Sequence, residues 1–267
     1  VRVYRFVKSF EHLIGRIGFS ELNVDQHFLN YSDYSKANIN DAGDSNVCLV
    51  HEENEHLNLR INFSAGSRNN RVVVGKNSKL KGNLSVSGSN NIFIFCGNSV
   101  ENFYATININ NDGNFLYVGQ RSSSNGTTFS LAGNCEIIVG ENAMFANNIF
   151  LRTSDMHAMI DFESEYVINH INSFKSHIVL FPNVWLGQDV LIMKDIVLGP
   201  GCIIGARAVV TKSVDQTCLV AGVPAKVLRE RVFWTRQINP SKEQVRAVKD
   251  SLTDFITDFS KLQSLHY

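Results

Sequence analysis

No charge of one sign dominates this 267-residue chain: 25 Lys and Arg balance 25 Asp and Glu, for a net charge of zero. That excludes a nucleic-acid protein working through a broad basic face. Long hydrophobic runs are missing too. No stretch approaches the ~18 consecutive apolar residues of a membrane-spanning helix. The first ten residues, Val1 to Phe10, lack the apolar core and small-residue cleavage site of a signal peptide. Cysteine is sparse and odd in number. Cys48, Cys96, Cys135, Cys202 and Cys218 form no C-x-x-C pair, which argues against a disulfide framework or a thiolate zinc site and for a reducing cytoplasm. Only four prolines occur, with an ordinary 18 glycines. Charged residues make up only 19% and hydrophobic ones 44%, so the chain can bury a core and is not intrinsically disordered. One residue is in excess. Asparagine occurs 29 times, 25 of them before residue 150.

What the chain does have is a repeat. From residue 186 aliphatic positions recur every six residues: Leu186, Ile192, Leu198, Ile204 and Val210. A second set follows four residues on, at Val190, Ile196, Cys202, Ala208 and Val214. Six fits neither the 3.6 of a helix nor one long flat strand, but it is a multiple of two, so short pieces can still be strands with alternating faces. Three such strands and three tight corners make an 18-residue lap. Laps stacked about 4.8 Å apart bury one aliphatic residue per side in a triangular core. The expected fold is therefore mainly β, a parallel β-helix.

The spacing reappears upstream at Val74, Leu80, Val86 and Ile92, and again at Val139, Phe145 and Leu151. Between 98 and 135 the composition persists without strict register, which reads as degenerate coils, with a right-handed β-helix of longer laps as the structural alternative there. Asparagine then serves corners, where φ is positive, and ladders between laps. The 35 residues from Leu151 to Leu186 are not a multiple of six, so a loop of about 158–182 leaves the helix and returns at Pro182-Asn183-Val184-Trp185. Long loops on rigid scaffolds carry function. Residues 1–65 read as an N-terminal cap of mixed structure, 66–223 as the β-helix, and 224–267 as a helical segment. There Ser241 and Gln244 form a capping box, and Val245, Val248, Leu252, Phe255, Phe259 and Leu262 alternate at three and four. Packing of that helix on its own chain is the plainer reading, contact with a neighbouring subunit the sharper one.

The run Val184-Trp185-Leu186-Gly187, the segment Gly205 to Lys212, and Val220-Ala221-Gly222-Val223-Pro224-Ala225-Lys226-Val227 resemble the last coils of hexapeptide-repeat acyltransferases. Arg152-Thr153-Ser154-Asp155-Met156-His157 resembles the active-site strand of sugar O-acetyltransferases that modify capsular and lipopolysaccharide sugars. The resemblance covers about residues 136–230. It implies a left-handed β-helix, a homotrimer, and acetyl-CoA bound between adjacent helices with a carbohydrate acceptor entering the same groove. No metal is required.

His157 is then the general base, a role suited to an imidazole, which titrates near neutrality. The acceptor hydroxyl attacks the thioester directly, so the cysteines need take no part. Asp155, two residues away, would share a strand face with His157 and orient it or contact the acceptor. Glu136 is an alternative orienting carboxylate. Trp185 is assigned to the groove, where its ring stacks on a sugar or on the pantetheine arm. Asn148 and Arg152 are candidate acceptor contacts, although Asn148 also suits a plain turn. For the donor the resemblance implies Gly187, Gly205, Ala206 and Ala221 along the pantetheine arm, and Lys212, Lys226 and Arg229 at the phosphates. Arg207 stands where such repeats often have a small residue. His170 and His177 read as solvent-facing residues of the loop. The competing functions are an N-acetyltransferase acting on an amino sugar or nucleotide-sugar, and a non-catalytic β-helix that binds or assembles. The loop aromatics Phe162, Tyr166, Phe174 and Phe181, together with the N-terminal region, are expected to choose the acceptor.

Overall fold

The computed structural model describes residues 28–30, 38–54, 56–169 and 176–264. Short strands stack in parallel into a solenoid. Face A contains Val47–His51, Arg71–Val74, Ile92–Phe95, Phe115–Val118, Glu136–Val139, His177–Leu180 and Ile196–Leu198. The rest of each N-terminal lap is one long strand: Asn58–Phe63, Leu80–Ser87, Phe103–Asn110 and Ser123–Ala132. The last of these pairs with two short strands at once, Met144–Phe145 and Ile149–Arg152, across a register shift between Ser124 and Thr127. From there the long side is divided. Face B continues through Trp185–Leu186 and Ile203–Ile204, and face C through Leu191–Ile192 and Val209–Val210.

Lap length changes with it. Val72 pairs with Phe93, Phe93 with Leu116 and Leu116 with Ile137, whereas Ile178 pairs with Ile196 and Leu186 with Ile204. The early laps thus take 21 to 24 residues and the later ones 18. Larger core residues fill the wider early cross-section: Phe63, Phe93, Phe103 and Phe129 are buried, and Phe103 lies 6.3 Å from Phe129 and 6.2 Å from Phe145. Each fully buried Leu, Ile or Phe contributes about 1.5–3 kcal/mol.

Three sequence expectations need correcting. The coil starts before residue 66, since Asn38–Asp41 already pairs in parallel with Asn58–Phe63. Leu59, Ile61 and Phe63 point inward at a period of two, so they do not register as a six-residue repeat. An antiparallel strand, Phe28–Asn30, closes on Leu49–His51. Ile92 is 39% exposed, because a lap longer than 18 puts Phe93 and Phe95 inward in its place. The loop is shorter than 158–182: His177–Leu180 is a strand of face A, and Phe181 is buried. His170 and Phe174 lie outside the described residues.

Asparagine serves the corners as expected. Nine of them, including Asn77, Asn98, Asn142, Asn148 and Asn183, have φ between 48° and 65°, a region in which Asn is the non-glycine residue of choice. A separate ladder is buried. The side-chain amide of Asn70 donates to Asn46 Oδ1 (2.8 Å), Asn91 to Asn70 (2.8 Å) and Asn114 to Asn91 (2.9 Å), and the ladder ends where Cys135 N donates to Asn114 Oδ1 (3.1 Å).

After the last lap the chain doubles back. Ala225–Arg229 pairs antiparallel with Leu219–Gly222, and a strap then climbs one edge of the solenoid. Val232 N donates to Thr217 O, Trp234 Nε1 to Asn183 O (2.6 Å), and the Arg236 guanidinium to Asn142 Oδ1, Ser123 Oγ and the carbonyls of Arg121 and Ala143. Helix α1, Lys242–Ser264, follows. Ser241 and Gln244 cap it reciprocally, as the sequence suggests. It packs on its own coil: Leu252 and Phe259 are buried, and the Phe259 ring lies 4.7 Å from Phe181.

Candidate active site

The three corners of each later lap align into three edges. The first, between faces A and B, contains Asn142 and Asn183. The second, between B and C, contains Asn148, Asp189 and Arg207. The third, between C and the next A strand, takes three residues in a regular lap, Met193 to Asp195. One lap earlier the same third edge is opened by the excursion from Thr153 to Ser176.

That excursion leaves along a fixed path. Thr153 N donates to Ser130 O, Arg152 Nε to Ser154 O (2.8 Å) and Met156 N to Ser154 Oγ (3.2 Å). Met156 then takes φ of 64°. This left-handed residue breaks the alternation, so Asp155 and His157 do not share a strand face as expected. Asp155 bonds instead to the Lys194 ammonium, one lap on, and to Asn169 Nδ2 (3.0 Å). Hydrogen bonds from Asn169 and Lys194 hold its carboxyl below the usual carboxylate range. Asn169 is the hub, since Nδ2 also donates to His157 O (2.9 Å) and Oδ1 accepts from Met159 N. With its backbone held this way, the His157 side chain is exposed. Beyond it the loop forms a small antiparallel arm, with Asp161 N donating to Tyr166 O (2.9 Å) and Ile168 N to Met159 O (2.8 Å). The arm presents Ile160, Phe162, Tyr166 and Ile168 to solvent. Sequence reasoning missed both Asn169 and Lys194. Lys194 was detectable, because the 18-residue lap stacks residues 193–195 beneath the loop's departure.

Trp185 begins face B and is 37% exposed. Its ring lies 6.0 Å from that of Trp234 on the strap, with Arg236 5.8 Å from the Trp234 ring on the same strap. The repeat itself is a signature. Residues 177–212 match the family described as bacterial transferase hexapeptide (six repeats). A polysialic acid O-acetyltransferase of Neisseria meningitidis is 30% identical over 172 residues, 64% of this chain and 77% of the relative. The chain belongs to the hexapeptide-repeat acetyltransferases.

It is also similar to a polysialic acid O-acetyltransferase of Escherichia coli O1:K1 / APEC, 28% identical over 165 residues, and spans 45% of that relative's length. Two solved structures share the fold. The polySia-specific acetyltransferase NeuO superposes with a TM-score of 0.66 at 24% identity, over 80% of this chain and 96% of that one. The polysialic acid O-acetyltransferase OatWY gives 0.57 at 22%, over 79% and 98%. The solenoid is thus the left-handed parallel β-helix of the acetyltransferase family.

On this acetyltransferase coil the expected site residues fall on different edges. Arg152, Asp155 and His157 come together at the third edge, where Lys212 also lies, exposed, two laps on. Asn148 is at the second edge, φ 58°, and its amide donates to Asp189 Oδ1 (2.8 Å), whose other oxygen is 3.5 Å from Arg207 Nε. That hydrogen bond serves the turn, and Asn148 also borders an open cleft with Lys81, Tyr104 and Thr128. Gly187 and Gly205 end face B strands. A Cβ at Gly187 would lie 2.7 Å from Ala206 N, and one at Gly205 2.8 Å from Ala221 Cβ. Lap stacking alone therefore demands glycine at both. Lys226 and Arg229 are exposed on the terminal hairpin, Lys226 in register with Ala221.

The remaining candidates move. Glu136 sits beside His177 on face A, at the loop's return rather than its departure. His177 is not a solvent-facing loop residue. It is largely buried on its strand, 3.8 Å from Asp195, and burial pushes its pKa below the usual histidine value against the opposing pull of Asp195.

Proposed function

We propose that this chain moves the acetyl group of acetyl-CoA directly to a sugar hydroxyl of a bacterial surface polysaccharide, of capsule or O-antigen type, with His157 as general base. The observation that carries this reading is His157 itself. In a chain of the acetyltransferase family it is exposed at the point where the coil opens, its backbone fixed by Asn169, beside Arg152. The imidazole takes the acceptor O–H proton as the oxygen attacks the thioester carbonyl carbon. A tetrahedral oxyanion forms and is stabilised by N–H donors aimed at it. The C–S bond then breaks, and the imidazolium returns the proton to the departing CoA sulfur. Arg152 and Asp155 border the acceptor, Asp155 chiefly by fixing the segment that bears the base. Trp185 flanks the reacting groups. Gly187, Gly205, Ala206 and Ala221 line the pantetheine path, and Lys212, Lys226 and Arg229 meet the phosphates.

The spread of these residues over three edges supports a homotrimer. One edge of a copy supplies His157 and an edge of its neighbour supplies Trp185 and the donor groove. Acetyl-CoA is a cytoplasmic donor, which sets the compartment of the reaction. Among the described residues no helix is long and apolar enough to cross a membrane.

The test is to incubate the protein with acetyl-CoA and the capsule or O-antigen of its source, and to locate new acetyl groups by NMR. An ester, removed by mild base, separates O- from N-transfer. His157→Ala should lower kcat/KM by about 10²–10⁴. Undiminished transfer by that variant would falsify the mechanism.

A further inference from the structure

Where the long side of the early laps begins to divide, a cleft of about 400 Å³ opens on the outside of the solenoid. Its floor is bare backbone. Gly82 has φ of 132°, and a Cβ there would lie 1.9 Å from Ala105 O. Gly126 marks the register shift, its N–H held by Ser124 Oγ (3.1 Å). One wall is the Tyr104 ring, 41% exposed, with Lys81 Nζ 5.6 Å from its centroid. Beside it, on the same outer face, stand Thr106 and Thr128, paired in register. An exposed aromatic ring beside hydroxyl side chains suits the two aspects of a sugar, whose C–H face stacks while its hydroxyls hydrogen-bond.

The surroundings are biased in charge. The strands Asn58–Phe63, Leu80–Ser87, Phe103–Asn110, Ser123–Ala132 and Ile149–Arg152 contain no Asp or Glu, yet carry Arg60, Lys81 and Arg152. Their other outward residues are mostly Asn, Ser and Thr. Asp41, on the first strand of the same sheet, is the one strand carboxylate at its N-terminal end; from Asn58 to Arg152 the strands of this face carry bases and no acids, in a chain with equal numbers of both. It also leads somewhere. Ser85 pairs with Asn108, Asn108 with Ser130 and Ser130 with Arg152, a polar row that runs along the solenoid axis to the segment bearing His157. Tyr104 lies two laps below Arg152 and four residues back along its strand from Asn108, which is in line with Arg152, so the two are about 16 Å apart by strand spacing and rise.

We propose that this face is a track for an acidic polysaccharide chain. One sugar rests on Tyr104 in the cleft, Lys81 and Arg60 face acidic groups of the polymer, and the chain continues past Arg152 to the base. This rests on the acetyltransferase reading above and deepens it. The acceptor is a polymer and an anion, and it is held at a subsite removed from the chemistry.

Binding without acetyl-CoA tests the track apart from catalysis. The full-length chain is titrated with polysialic acid, hyaluronan and neutral dextran as probes. Wild type should bind at least one acidic polymer more tightly than dextran, and added salt should weaken it. Tyr104→Ala and Lys81→Gln should each raise the Kd for that polymer about tenfold, while Tyr104→Phe stays within about twofold. Lys249→Ala, on α1, should bind as wild type does. In acetyl-transfer assays the Tyr104→Ala loss should fall on KM for the polymer. The track is overturned if no acidic polymer is retained, if dextran binds as well, or if both cleft variants bind like wild type. Binding that survives in a protein unable to transfer acetyl would sink the catalytic reading and leave the track standing. Transfer with an unchanged polymer KM in the cleft variants would do the reverse.

Discussion

Replacing Asn91 with Ala should destabilise the fold by about 3–5 kcal/mol, although the residue touches no candidate site. Asn91 is fully buried. Its Oδ1 accepts from Asn114 N (2.8 Å) and Asn114 Nδ2 (2.9 Å), and its Nδ2 donates to Asn70 Oδ1 (2.8 Å) and Asn111 O (3.3 Å). After truncation the Asn114 amide still reaches the carbonyls of Asn110 and Asn111, both at 3.2 Å, but the Asn114 backbone N–H loses its acceptor inside the protein. One orphaned buried donor costs about 1–3 kcal/mol, and the net loss of the remaining bonds adds roughly 0.5–1.5 kcal/mol each. Asn46→Ala at the open end of the ladder is the control. Asn46 is half-buried, so water can take its place at Asn70 N–H, and the cost should stay near 1 kcal/mol. Asn91→Asp sharpens the comparison. It keeps the acceptor towards Asn114 but turns an oxygen towards Asn70 Oδ1, so it should be at least as damaging as Ala. Urea unfolding midpoints with unchanged slopes give the differences. An Asn91→Ala protein within about 0.5 kcal/mol of wild type, or equal to Asn46→Ala, would refute the ladder as a source of stability.

Three further outcomes are expected. Arg236→Met removes hydrogen bonds to Asn142, Ser123 and two carbonyls from a guanidinium that is mostly buried, and should loosen the strap by about 2–4 kcal/mol. Cleavage between residues 230 and 241 in limited proteolysis should quicken, and an unchanged rate would count against the strap. Asp155 has its carboxyl pKa lowered by Asn169 and Lys194, so its hold on the loop is complete above about pH 4 and lost as pH falls through the depressed value. Lys194→Met should move that loss to higher pH, read as faster exchange of the Met159 amide. His177 has its folded pKa pushed down by burial, so the fold favours the neutral ring. Its contribution is present above about pH 6.5 and declines as pH drops from there towards the folded value. His177→Gln should flatten that part of the stability curve, and a slope as steep as wild type would dispose of the assignment.

The period of six between 184 and 210 was legible because each residue of a regular lap has one fixed role. Leu186, Ile192, Leu198, Ile204 and Val210 are all buried. The early half misled where it mimicked that rule. Val74, Leu80 and Val86 are buried, but Ile92 is not, because those laps lack the corner that divides faces B and C and their long strands keep time by alternation alone. The end of the loop was readable in principle: Ile178 and Leu180 stand 18 residues before Ile196 and Leu198 and occupy the same places. The pairing of Asp155 and His157 was not, since it turned on one left-handed residue, Met156, of a type that rarely adopts that conformation. Nor could sequence spacing relate Trp185 to Trp234, which meet through a chain reversal. The glycines at 187 and 205 teach a different lesson. They were expected from the resemblance at the donor groove, yet the close approach of successive laps already requires them.

A stack of laps in which each touches only its neighbours can come apart like a coin roll, from whichever end is looser. The strap of Val232, Trp234 and Arg236 resists this at the C-terminal end, because its anchors at Thr217, Asn183, Asn142 and Arg121 fall on four of five consecutive laps. Peeling off the final lap means undoing its fastening to laps deep in the stack. The last laps of a linear lattice are thereby cross-linked, and they share the fate of its middle. The edge that carries the strap also adjoins Trp185, so the wall of the proposed groove cannot fray without releasing the laps fastened back to Arg121.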